Sequence, residues 1–407
     1  MRKALLVMAG GLLASGSLAI AQPAAPLDLE VLFTGTDVNT LVGSPSNSEF
    51  DGVAVKADGS VVYLFDSTGT FDGILSYASG TPAVFATEFQ LSPVTNGASA
   101  NDFDTDAAGN LYANVYTNTS NTQAVWMIPE AGFGGAVAML SGAALENVDE
   151  IEVDDANSRL LMTYSDLFGT VDENIVAIPL TASAETTPTV VVTETAMEAA
   201  LATLTGYVDD AGDDLNVTDF TVQSDGDIII AHGFSSNRQI NGSILISDST
   251  GSSVSVFISA DDLITAAGGT PATDDIGNVG VEALSTDEIL VHVPFVTSTT
   301  VPPEDALVGF IGVLSADGSS FTKLATYSEI NDDPIAAAPL VPTGESLMEN
   351  ATRHVMDSKN GGDVDGNDDY YFYRQGSASP AENAVIKLSG IRAFLDGPSS
   401  VKNWTMY

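Results

Sequence analysis

Cysteine is absent from this 407-residue chain. That absence excludes disulfides, thiolate metal sites and a cysteine nucleophile, so stability has to come from a buried core, helped at most by oxygen-ligated ions. Basic residues are scarce: 12 Lys and Arg stand against 55 Asp and Glu, a formal net charge of −43. Such a surface repels nucleic acid and anionic lipid and raises the local concentration of cations, so no nucleic-acid partner is expected. Aromatic content is 7%, and the two tryptophans, Trp126 and Trp404, are isolated, which argues against a carbohydrate-stacking surface. No Gly-x-Ser-x-Gly nucleophile motif, phosphate-binding glycine loop or dinucleotide fingerprint is present, and no nucleotide, haem or flavin is expected.

Long apolar runs are confined to the first residues. Met1-Arg2-Lys3, the stretch Ala4 to Ile20 and Ala19-Ile20-Ala21 before Gln22 have the charged, apolar and small-residue parts of a secretory signal. Residues 1–21 are read as a cleaved leader and the product as secreted or periplasmic. Elsewhere no run approaches the roughly 20 residues that span a bilayer, so no membrane insertion is expected after cleavage. Residues 22–395 are read as one domain, and 396–407 as a short tail. The acidity is read as adaptation to a halophilic or marine setting, or as simple solubility, ahead of a specific cationic partner.

What is present in abundance is a repeat: an acidic or amide residue, an alternating apolar stretch, an Asp/Asn/Gly turn and a β-prone run. It reads Phe50 to Tyr63 and Asn101 to Tyr112, with weaker copies at Asn147 to Met162, Asn216 to Ala231, Asn278 to Val291 and about Val355 to Phe372. Two further strand signals follow in several copies. Four antiparallel strands per unit, repeated six times at roughly 50 to 70 residues, predict an all-β, six-bladed β-propeller. Helical signals between units cover Thr195 to Leu204 and Ser259 to Ala267, each followed by an acidic loop, Asp213 to Asn216 and Asp274 to Asn278. Ring closure needs the run Leu27 to Phe33 to share a sheet with Ala384 to Leu388 near the end.

The repeat resembles the six-bladed propellers of the gluconolactonase/regucalcin (SMP-30-like) superfamily and, more loosely, NHL-repeat propellers. In those lactonases a divalent ion, usually calcium, is held at the channel top by acidic and amide side chains at the starts of the inner strands. By that resemblance Asp51, Asn101 and Asn147 are candidate metal ligands, with Phe103 and Val148 standing where the family has glycine. Glu49 is the counterpart of the family's initial acid. In the fourth copy Thr218 takes the ligand position and Asp219 falls one place later, which in a regular strand turns it to the other face. Glu49, Asp102, Asp149, Glu150 and Asp219 are the candidate ligand-binding residues around the mouth.

Independently of the resemblance, a propeller channel brings the starts of six inner strands to one axis, where convergent oxygens suit a hard cation such as Ca2+. The other reading is that these acids are solvated at a wide mouth. A second oxygen-rich stretch offers Asp363, Asp365, Asn367 and Asp369 at alternate positions, either an ordinary acidic hairpin turn or a structural calcium loop. Of the three histidines, His232 and His292 end apolar β runs and are expected to be structural. His354 near the last inner strand and Asp102 are the candidates for general acid–base work. The functional reading is an acidic extracellular propeller that binds a small ligand or cation, or an extracellular protein, at its channel mouth. A divalent-metal-dependent lactonase is the alternative.

Overall fold

The structure, a computed structural model, describes residues 27–43, 50–66, 73–91, 98–117, 122–142, 148, 150–164, 173–181, 187–205, 207, 215–233, 241–272, 274–276, 279–298, 308–326, 362–374 and 383–397. In chain order, β1 (Asp28–Thr34) and α1 (Gly35–Val42) precede the first blade, β2 (Phe50–Val55), β3 (Val61–Asp66), β4 (Gly73–Ala78) and β5 (Thr81–Thr87). After α2 (Glu88–Leu91) comes the second blade, β6 (Ala98–Thr105), β7 (Leu111–Thr117), β8 (Thr122–Ile128) and β9 (Val137–Gly142). The third is β10 (Ile151–Asp154), β11 (Arg159–Tyr164), β12 (Asn174–Pro179) and β13 (Thr189–Val192), followed by α3 (Glu194–Leu201). The fourth is β14 (Asn216–Val222), β15 (Ile228–Gly233), β16 (Ile244–Ser247) and β17 (Val254–Ile258), followed by α4 (Ala260–Ala267).

The fifth blade differs. β18 (Asp274–Ile276) and β19 (Gly280–Ala283) both pair with the long β20 (Ile289–Ser298), which continues to β21 (Val308–Leu314) and β22 (Phe321–Thr326). The stretch expected to be an acidic loop thus contains a short strand, because β20 is ten residues long and offers pairing beyond the end of β19. The sixth blade is β23 (Asp363–Val364), β24 (Tyr370–Arg374), β25 (Ala384–Ser389) and β1 as its outermost strand, with α5 (Ile391–Leu395) following. β1 pairs antiparallel with β25 from Asp28 opposite Ser389 to Thr34 opposite Ala384. The ring therefore closes through the first strand of the chain, as the sequence predicts.

Packing explains why six sheets form a ring. The buried apolar side chains divide into six clusters, each shared by two successive blades. Between the first and second blades lie Tyr63, Phe65, Phe103 and Ile128. Across the closing seam Phe33, Tyr371 and Val385 meet Phe50, Val53 and Leu64. A blade exposed on either face would leave such a layer in water, so the stable arrangement is the closed cycle.

The inner hairpins show why three of the four weaker copies of the repeat are faint. In each turn one N–H returns to the carbonyl three residues earlier: Gly59 to Lys56, Gly109 to Asp106 and Gly226 to Gln223. Ser158, Asp287 and Asp368 make the same bond in the third, fifth and sixth blades, with φ of 53°, 65° and 62°. The left-handed conformation that glycine adopts freely is carried there by serine and aspartate, which removes the glycine signal from the sequence. Helix α3 is capped by Thr193, whose hydroxyl accepts from Ala196 N at 3.2 Å, and α4 by Ser259, accepting from Asp262 N at 3.2 Å.

Candidate functional site

Each inner strand alternates between two neighbours. In β6, Phe103 faces back into the layer shared with the first blade, while Asp102 and Asp104 face forward to the third. In β14, Phe220 faces back and Asp219 and Thr221 face forward. Period-2 alternation thus sorts apolar residues toward one neighbour and polar residues toward the other, with the forward set lying nearest the axis.

The forward residues have a structural task. An innermost strand is a sheet edge whose outward N–H groups lack a ladder partner, and unpaired buried N–H groups are costly. Here the side chain of the preceding blade accepts from them. Asp102 Oδ2 accepts from Ile151 N at 2.8 Å, Asp104 Oδ2 from Val153 N at 2.5 Å and Asp219 Oδ2 from Val281 N at 2.7 Å. Glu152 Oε1 accepts from Val222 N at 3.2 Å and from the Thr221 hydroxyl at 2.9 Å, while Thr221 Oγ1 accepts from Ala283 N at 3.1 Å. At the seam Asp363 Oδ2 accepts from Val55 N at 2.6 Å. The four aspartates also use Oδ1 to accept from the next N–H of their own strand, at 2.5 to 2.8 Å.

These side chains surround a narrow axial cavity of about 10 Å3, room for roughly one water molecule, lined by Asp102, Phe103, Asp104, Ile151, Glu152, Asp219, Glu282, Gly362 and Asp363. Among the described residues six carboxylates border it and no basic side chain does. Burial raises the Asp102 carboxyl well above the usual range, with the charge of Asp219 adding to it. Asp104 and Glu152 are likewise raised, first by burial, then by Glu152 and Asp363 on the former and by Asp363 on the latter. Glu282 is raised by burial and by Glu152 and Asp363. Asp363 is pushed up to about 7, mainly by burial, although the N–H groups of Val55 and Val364 pull the other way. Like charges around one low-dielectric axis without a counterion cannot all ionise at neutral pH. The channel therefore holds protons, a cation, or both, and protonated and ionised carboxyls side by side are also a proton donor and acceptor.

Several sequence expectations are redrawn by this geometry. Asp219 does face the axis. β14 carries a bulge between Val217 and Asp219, and β6 one between Ala100 and Asp102, so Thr218 and Asn101 are the extra residues and Asp219 corresponds to Asp102. Asp363 faces the axis, apart from Asp365, Asn367 and Asp369, because the hairpin wraps round Asp365. Asp365 Oδ1 accepts from Asn367 N and Asp369 N, its Oδ2 accepts from the Tyr371 hydroxyl, and Asp369 pairs with Lys387 at 2.7 Å. Glu150 is buried in front of β10, its N–H donating to Thr163 Oγ1. Asp51 and Asn101 lie in β2 and β6, but their side chains are outside the described residues, as are Glu49, Asn147, Asp149 and His354 entirely.

Asp104, Glu152 and Glu282 were not picked out from the sequence. The signal that finds them is the i+2 step from Asp102 and Glu150 and the equivalent forward position in β19. His292 is structural: its Nδ1 lies 2.8 Å from the Tyr370 hydroxyl, and its ring meets Phe372 edge-on. Among the described residues no three His, Asp or Glu side chains come together closely enough to hold one metal ion. Both oxygens of each axial aspartate accept backbone N–H groups, while the ligands that the repeat's resemblance implies, Asp51, Asn101 and Asn147, have side chains outside the described residues.

Fold and site together define a six-bladed β-propeller with a carboxylate-lined axis. No protein-family model matches the chain, and neither does any curated protein. Among solved structures it is similar to the calcium-binding protein regucalcin of Agrobacterium tumefaciens, at 10% identity and a TM-score of 0.47 over 90% of this chain and 94% of that one. A nidogen/laminin complex matches at 11% identity and a TM-score of 0.43, over 69% of this chain and 80% of that one. TolB of Acinetobacter baumannii matches at 10% and 0.42, over 67% of this chain and 53% of that one. At these levels the likenesses add nothing to what the six sheets establish. Among the described residues no helix is long and apolar enough to cross a membrane.

Proposed function

We propose that this chain is an exported binding propeller whose axial channel takes a small cation. The observation that carries the reading is the narrow axial cavity bordered, among the described residues, by six carboxylates and no basic side chain. A cation entering it relieves repulsion that the fold otherwise has to absorb by retaining protons. Because the axial aspartates are already committed to backbone N–H groups, the ligand is held by the summed field of the ring. The net charge of −43 draws cations toward the channel in the same way.

The test is calorimetric titration of metal-free protein at pH 8 with Ca2+ and Mg2+ separately, beside the Glu282→Gln variant. Glu282 lines the cavity, and its substitution removes charge from the ring. The expected result is saturable binding that weakens severalfold in the variant. Absence of binding by both cations sinks the reading. Metal-dependent lactone hydrolysis is the alternative, and it predicts lactone turnover that requires Ca2+ and is lost in Asp51→Ala and Asn101→Ala.

A further inference from the structure

We draw no further inference here: the strongest candidate, the exposed apolar patch of Leu41, Val84 and Phe89 on α1, β5 and α2 at the outer edge of the first blade, carries nothing because nothing in the structure shows what covers it.

Discussion

Raising the pH should weaken this protein through its axis, and Asp363 lets the effect be isolated. Its carboxyl sits at about 7 in the folded chain against 3.8 ordinarily. A folded-state value above the unfolded one means that the folded chain binds the extra proton. Stability is therefore greatest below about pH 4 as far as this group is concerned, and is lost as pH rises through about 7. The full difference is on the order of 4 kcal/mol at 1.36 kcal/mol per pH unit. With an unfolding entropy of about 2.1 cal/mol/K per residue over about 370 residues, that corresponds to a melting shift of about 5 °C.

Asp363→Asn removes the titration. It also leaves Val55 N or Val364 N without an acceptor, a pH-independent cost of about 1 to 3 kcal/mol. The variant should therefore melt about 1 to 4 °C below the wild type at pH 4 and draw level with it or pass above it by pH 8. Melting of both proteins in metal-free buffer at half-unit steps measures it, and the groups remote from the axis cancel in the comparison. A gap that stays constant from pH 4 to pH 8 refutes the claim that Asp363 holds a proton in the folded ring.

Other outcomes follow from the same geometry. His232 is fully buried and held down to about 4, so the unfolded chain binds its proton first; stability should fall as pH drops from about 6.5 toward 4, and His232→Leu should flatten that limb of the melting profile. Phe33→Ala empties the closing layer between the sixth and first blades and should cost about 3 to 5 kcal/mol, read as a lowered urea midpoint. Ser158→Gly relieves a left-handed residue and should raise the melting temperature slightly, by up to about 1 kcal/mol. Gly251→Ala would place a Cβ 1.7 Å from the Val191 carbonyl oxygen at a φ of 72° and should prevent soluble expression.

The propeller was legible because its period-2 runs and turn glycines recur in the first, second and fourth copies strongly enough to set a register. The remaining copies were fainter for a local reason: Ser158, Asp287 and Asp368 adopt the backbone conformation that glycine advertises elsewhere. The site was only partly legible. Asp102 and Asp219 were named, but the relation between them was hidden by bulges, which add a residue to one strand without leaving any compositional mark. Asp363 was grouped with Asp365 because they are two apart in sequence, whereas the turn draws Asp365 into its own hydrogen bonds and leaves Asp363 on the axis. Glu152 and Glu282 stand at the step that Asp104, Thr221 and Asp363 occupy in the neighbouring copies, so no single repeated letter betrays them.

The forward-pointing carboxylates give the ring a rotational sense. Among the described residues the second, third, fourth and sixth blades supply side-chain acceptors to the inner strands of their successors, and the handover from Asp363 to Val55 N returns the cycle to its start. A single blade cut from this protein would carry donors with no acceptors on one side and charges with no donors on the other. The unit of folding is consequently the whole circuit, which can neither gain nor lose a blade without breaking the succession.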